Sequence, residues 1–285
     1  MNTEVGCKLI ILCLILFCQS LWASDLPSAR EKELPKWELG AGVAGLRVPH
    51  YLGANEFNEY GVPYPILVYR NEYIQADRKG LKGKLFQRDD LRISISAGSS
   101  LPVDSDESDA REGMPDLDFM LEIGPTLQYR FYQNREKSHS WIFNFPIRAA
   151  FVVRDFDIAH QGWESSPSVI YYGGRDGWKP SVSIGPMFGS LRYHQYFYDV
   201  ERKYVTNDRG VYDSKSGYAG LKISFSLYRK FQQFSVAGFV KYVDLRAAIN
   251  KSSPLIQTDN YVTFGMAINW MFAESTGKVK EGVGF

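Results

Sequence analysis

The sequence predicts an all-β protein, a transmembrane antiparallel up-and-down β-barrel of about 12 strands, with 10 as the alternative count. Three observations lead there: long segments that alternate apolar and polar residues, aromatic residues gathered at the ends of those segments, and an N-terminal export signal. From Phe119 to Phe131 the odd positions read Phe119, Leu121, Ile123, Pro125, Leu127, Tyr129 and Phe131. The even positions carry Met120, Glu122, Gly124, Thr126, Gln128 and Arg130. Successive side chains of a strand point to opposite faces, so this segment has one apolar and one mostly polar face. Wound as a helix, it would scatter its charges all round.

The export signal sets the compartment. Lys8 precedes an apolar run from Leu9 to Phe17, and small Ala23 follows shortly after. The run falls short of the roughly 20 residues a membrane-spanning helix needs, so residues 1–23 read as a signal peptide cleaved after Ala23. Cys18 follows Phe17 rather than the small residue that lipoprotein processing wants. All three cysteines (Cys7, Cys13 and Cys18) lie in the removed segment. The mature chain therefore has no disulfide framework and no cysteine nucleophile or metal ligand. With 33 basic against 32 acidic residues there is no electrostatic footprint for nucleic acid.

Residues 24–36 form a periplasmic lead-in, 37–272 the barrel and 273–285 a polar C-terminal tail. Trp37 to Val48 is strand-like; its Gly40, Gly42 and Gly45 suit a wall better than a dinucleotide loop, because Pro49 follows instead of a helix. After an outer loop at 49–62, residues 72–86 divide into two short strands about a turn near Lys79-Gly80, and including that hairpin gives 12 strands rather than 10. Leu91, Ile93, Ile95 and Ala97 alternate with Arg92, Ser94, Ser96 and Gly98. The acidic run Asp104 to Asp109, in an outer loop at 102–117, lacks the Gly and Glu offsets of an EF-hand. Trp141 to Phe151 alternates again, and 154–162 reads as an outer loop. Pro180 to Tyr198 reads as a strand that changes phase, followed by a loop at 199–216. Ala219 to Leu227, Phe234 to Ile249 and Phe264 to Phe272 complete the wall, with 250–259 as the last outer loop.

Length and aromatics separate a membrane barrel from a soluble sandwich. Sandwich strands run about 5–6 residues, whereas a tilted membrane strand needs about 9–11, and several segments here are longer still. Tyr129, Phe131, Tyr132, Trp141, Phe143, Tyr228, Phe231, Trp270 and Phe272 stand at segment ends, where interfacial girdles belong. Only a closed barrel pairs every backbone group of strands in lipid. Short connections near Asn71, 87–90, 133–139, 173–177 and 229–232 go to the periplasm and the long ones outside. The expected setting is the Gram-negative outer membrane, among lipid and lipopolysaccharide.

The polar face supplies candidate lumen residues: Arg92, Glu122, Arg130, Arg148 and Lys222. They would line a pore or pair across a filled interior, and a barrel of about 12 strands, between filled 8-stranded and open 16-stranded cases, favours a filled or narrow one. Catalysis is not expected. Of four histidines, His50 and His160 fall in predicted outer loops, His139 in a periplasmic turn and His194 toward the outer end of a strand, where solvated or girdle positions need no role. No Gly-x-Ser-x-Gly elbow is present, and no cofactor or metal site is expected.

Several stretches, in order, carry a resemblance. They are Pro49-His50-Tyr51-Leu52-Gly53-Ala54, Pro63-Tyr64-Pro65 with Tyr69-Arg70, and Gly113-Met114-Pro115-Asp116-Leu117-Asp118 leading to Gly124-Pro125. Tyr196-Phe197 with Val200 and Ser253-Pro254-Leu255 follow. With the strand pattern they resemble the MipA/OmpV family of outer-membrane proteins over nearly the whole mature chain. The sequence departs from the family's pattern in continuing for 13 residues beyond Phe272, to Gly284-Phe285. The resemblance implies a barrel that scaffolds murein-remodelling enzymes, binding a murein lytic transglycosylase and a penicillin-binding protein from the periplasmic side. Docking would then fall on the charged short turns, with Arg135, Lys137, Arg175 and Lys230 as candidates. The alternatives are a small-solute channel and an adhesin-like surface protein.

Overall fold

The computed structural model describes residues 33–70, 74–77, 80–154 and 157–280. The expected signal peptide and Lys79 lie outside them. The strands are β1 (Glu33–Pro35), β2 (Trp37–Pro49), β3 (Phe57–Arg70), β4 (Ile74–Asp77), β5 (Gly80–Gln87), β6 (Leu91–Ser100), β7 (Phe119–Gln133) and β8 (His139–Pro146). Then come β9 (Arg148–Arg154), β10 (Asp157–Ser165), β11 (Ser168–Gly173), β12 (Trp178–Gly189), β13 (Gly217–Lys230), β14 (Phe234–Asp244), β15 (Asn260–Glu274) and β16 (Lys278–Lys280). An α-helix, α1 (Leu191–Tyr198), and a short 3-10 turn (Arg202–Tyr204) stand between β12 and β13.

Strands β2 to β15 form one antiparallel sheet that closes where β15 pairs with β2, Ala267 opposite Ala44. Strands β8 and β9 are two halves of a single wall strand, separated only by Ile147, and β7 pairs with both. Strands β10 and β11 are likewise halves of the next, and both meet β12. Counted this way the wall has 12 strands, including the short β4–β5 hairpin. Beyond the wall, β1 pairs with β16 and joins the segments that precede and follow the barrel.

The two interruptions share one cause. Ile123-Gly124-Pro125 in β7 and Ile184-Gly185-Pro186 in β12 are matching triplets on either side of the broken pair. A Cβ on Gly124 would sit 2.0 Å from the Ile147 carbonyl oxygen, and one on Gly185 would sit 1.9 Å from that of Pro167. Only glycine lets the displaced backbone of each broken strand cross so closely. Each following proline lacks an N–H, so the regular ladder is lost at the same level.

Alternation sets the faces. On β15, Phe264, Met266, Ile268, Trp270 and Phe272 point out, while Thr263, Ala267, Asn269 and Met271 are buried within. Leu67, Met266 and Val43 are exposed to 67%, 65% and 61%. Together with Phe143, Phe145, Val182, Ile184 and Phe225 they form an apolar belt far larger than a water-soluble protein exposes. Such a belt is solvated by lipid.

Three segments depart from the sequence reading. The strand expected to reach Tyr198 ends at Gly189, and Leu191–Tyr198 is helical. Ser190 caps that helix, its hydroxyl accepting from the Tyr193 N–H, and residues 194, 197 and 198 are buried at helical rather than alternating spacing. Of the outer loop expected at 154–162, Arg154 ends β9 and residues 157–162 belong to β10, and residues 57–62 of the loop expected at 49–62 belong to β3. Ala219, at the head of the wall segment read from Ala219 to Leu227, faces inward where the β12–β13 register shifts beside it.

Candidate functional site

The two ends of the barrel carry different chemistry. The β1–β16 pair, which flanks the barrel in the chain, and the short turns lie together, and in bacterial barrels that end is periplasmic. The connections at 50–56, 101–118, 190–216 and 245–259 lie at the opposite, outer end.

At the outer end the loops do not splay into solvent. Tyr51, Ala54, Val103, Leu117, Phe197, Tyr198, Val200 and Leu255, contributed by all four loops, pack on the inward-facing Met120, Ala150 and Val152 of β7 and β9. Their apolar side chains meet only when the loops turn into the barrel mouth. Side-chain donors then tie the loops to one another's backbone. Tyr51 donates to the Leu255 carbonyl (2.8 Å), Tyr198 to that of Leu52 (2.9 Å) and Ser253 to that of Tyr198 (2.9 Å). Arg209 donates to the carbonyls of Tyr204, Ala110 and Glu112, and Arg111 reaches that of Phe197. Burial pushes the Tyr51 and Tyr196 hydroxyls up to about 12, so both remain protonated donors. The result is a plug with its own core.

His194 of α1 belongs to this plug and is 1% exposed, not solvated as the sequence suggested. Its Nδ1 lies 2.6 Å from the Lys215 carbonyl and 2.9 Å from Asn250 Nδ2, and burial holds its pKa below the usual imidazole range. His160, expected in a loop, instead sits in β10 between the rings of Phe151 and Trp163. His50 and His139 stand beside Asn58 and Tyr171 respectively.

Beneath the plug lies a chamber of about 480 Å³ into which charged and hydroxyl side chains project among apolar ones. Glu122 of β7 accepts from the Tyr193 hydroxyl of α1 (2.9 Å), tying the wall to the plug. Arg148, just outside the break at Ile147, pairs with Glu164 at 3.3 Å and donates to Ser96. Lys222 and Lys241 enter from β13 and β14, and serine pairs bridge β12 and β13: Ser183 with Ser224 (2.6 Å) and Ser181 with Ser226 (2.7 Å). Of the residues read as lumen candidates, Glu122, Arg148 and Lys222 meet here. Arg92 is buried on the inward face of β6, away from the chamber. Arg130 lies near the periplasmic turn, donating to the Asp89 carbonyl and facing Asp90.

Sequence reasoning missed Glu164 and Lys241. Glu164 follows a segment read as loop. Lys241 shares its inward row with Ala237, Phe239 and Val243, so no clean alternation marks it. Register with Ser224 of β13, whose face was legible, would have placed it.

The periplasmic rim is built from charged turns over an aromatic belt. Trp141 lies tilted against Tyr171, Phe234 lies parallel to Trp270, and Trp270 meets Phe272 edge-on. Arg229 lies over the rings of Trp178 and Phe231 at 5.0 and 4.9 Å. Arg135 is exposed, Lys137 adopts a left-handed φ of 55°, Arg175 faces the neighbouring Asp176, and Lys230 reaches buried Glu38 at 3.6 Å. The four expected docking residues therefore share one end of the molecule, on three separate turns.

The profile of the family described as MltA-interacting protein MipA matches residues 41–272. No curated protein sequence matches the chain. Among solved structures, a bacterial polysaccharide outer membrane secretin is 8% identical, with a TM-score of 0.39 over 83% of this chain and 99% of its own. Neisserial surface protein A is 10% identical, with a TM-score of 0.24 over 85% and 100%. OprG of Pseudomonas aeruginosa is 10% identical, with a TM-score of 0.25 over 85% and 95%.

Proposed function

This chain belongs to the MipA family of MltA-interacting proteins and is a β-barrel of the Gram-negative outer membrane, and we propose that it serves there as a docking scaffold for murein-remodelling enzymes. The observation that carries the reading is the plugged outer mouth. A barrel closed by a self-packed, hydrogen-bonded plug is poorly built for free diffusion. Its accessible periplasmic surface is the charged rim around Arg135, Lys137, Arg175 and Lys230. The family's description names an interaction with MltA, and the resemblance noted in the sequence makes the partner class a murein lytic transglycosylase, with a penicillin-binding protein as a further member. Rim charges of this kind steer encounter and set specificity more than they add affinity.

The test is capture of the purified barrel by an immobilised lytic transglycosylase. The variant combines Arg135→Ala, Lys137→Asn, Arg175→Ala and Lys230→Gln. Asn tolerates the left-handed backbone at 137, and Gln keeps a donor for Glu38. Capture should fall by roughly tenfold, mostly through the on-rate, while heat-modifiable gel migration stays that of the wild type. Undiminished capture by a folded variant rejects docking through these turns.

A further inference from the structure

The chamber beneath the plug has an unbalanced charge. Three cations line it, Arg148, Lys222 and Lys241, against two carboxylates, Glu122 and Glu164 (Asp118 at its edge is taken up by Arg154). Arg148 is committed to Glu164, and Glu122 to the Tyr193 hydroxyl. Among the described residues neither Lys222 nor Lys241 has a carboxylate within ion-pair distance. Ser224 stands opposite Lys241 in the β13–β14 register, and Lys222 is two residues along the same face, so the two lysines are diagonal neighbours that act on each other's charge. Like charges held side by side away from bulk water repel. Lys222 feels Glu122 and Glu164 only from beyond ion-pair distance. Lys241, a buried ammonium beside the Phe239 ring at 5.9 Å, has no carboxylate of its own, which is costly. A bound anion removes both costs.

The serine pairs define the rest of the ligand. In each of Ser183–Ser224 and Ser181–Ser226 one hydroxyl donates to the other, which leaves the acceptor's own proton free. Two unused O–H donors thus lie in line beside the lysines. Hydroxyls both give and take hydrogen bonds, so they match the hydroxyls of a sugar chain. The volume of about 480 Å³ falls within the range of small-molecule sites.

We propose that this chamber binds a small hydroxylated monoanion, a sugar acid in chemical class, its carboxylate between Lys222 and Lys241 and its hydroxyls on the Ser181, Ser183, Ser224 and Ser226 ladder. The site is independent of docking at the periplasmic rim. Nothing in it requires the scaffold reading.

Calorimetry on the detergent-solubilised barrel, with D-gluconate, glucose and chloride as probes, tests it. Gluconate should bind at least tenfold more tightly than glucose or chloride. Lys241→Met should lose at least tenfold of that affinity, and Lys241→Arg should keep most of it. A second measurement uses the wild type alone: acylation of Lys222 and Lys241, read by mass spectrometry, should slow in gluconate, while exposed Lys251 reacts at an unchanged rate. Binding of chloride as tight as that of gluconate, an adventitious ion only, overturns the proposal. Equal affinity for glucose, no measurable gluconate binding, or unprotected lysines overturn it as well.

Discussion

The outer and periplasmic ends of this barrel are closed by opposite means. The outer end uses four long connections whose apolar side chains, Tyr51, Leu117, Phe197, Tyr198 and Leu255 among them, turn inward to make a core where a porin would have an opening. The periplasmic end uses turns of a few residues, with its aromatic side chains turned outward as a belt and its charges left in water. Long loops can afford a core because they carry enough apolar side chains to bury one another. Short turns cannot, so their apolar neighbours are stabilised by the membrane interface instead. The same residue types therefore stabilise one end by packing and the other by partition into lipid.

The largest way to break this contrast is to hollow the plug. Leu255 is fully buried, and Leu255→Ala should cost the plug about 2–5 kcal/mol. Limited proteolysis should then cut the loops at 101–118 and 190–216, while the barrel still shows heat-modifiable migration. Loss of the folded barrel itself would show that plug and wall are one cooperative unit. Next comes the wall between the two ends. Ile223 shares the outward face of β13 with Phe225, and Ile223→Arg should impair insertion by about 2–4 kcal/mol. Ser224→Arg, one residue along, faces the lumen and should insert far better into liposomes. Equal yields would reverse the face assignment.

A smaller effect tests the plug by pH. Burial lowers the His194 pKa, so the folded plug takes up a proton less readily than the opened one. Its contribution to plug stability is complete above the unfolded value of about 6.5 and declines as pH falls below that, by at most about 1.4 kcal/mol per unit. Loop proteolysis should accelerate from pH 8 to pH 5, and His194→Gln should flatten the difference. An unchanged pH response in that variant assigns the sensitivity to another group. The smallest effect belongs at the rim, where exposed Arg175→Ala should leave thermal stability within about 0.5 kcal/mol. A larger loss would mean that the rim turns, like the plug, support the fold.

The stretches that carry the family resemblance are distributed unequally between the two ends. Tyr51 and Ala54, Leu117, Phe197 and Val200, and Ser253 with Leu255 are far apart in the chain and converge in the plug. The rim candidates Arg135, Lys137, Arg175 and Lys230 belong to none of these stretches. A family profile that matches residues 41–272 therefore spans both ends, but the motifs recognisable by eye are those that close the mouth.

Alternation determined most of the wall and its two faces, because the outward side chains of a membrane strand all meet the same apolar solvent. The count, 12 with the short hairpin about Lys79-Gly80 or 10 without it, was decided by the pairing of β4 with β5 inside the closed sheet. The aromatic ends were legible for the same reason: the interface selects them one strand at a time. The plug was not legible. Its apolar residues are scattered over four loops, each too poor in them to signal a core, and the helix at Leu191–Tyr198 is only two turns long and continues the apolar content of β12. Nor could the sequence join Glu164 to Arg148, or set Lys241 diagonal to Lys222, since those neighbours follow from register between strands. Each strand carried its own pattern, and closing the barrel decided which charges would share the chamber.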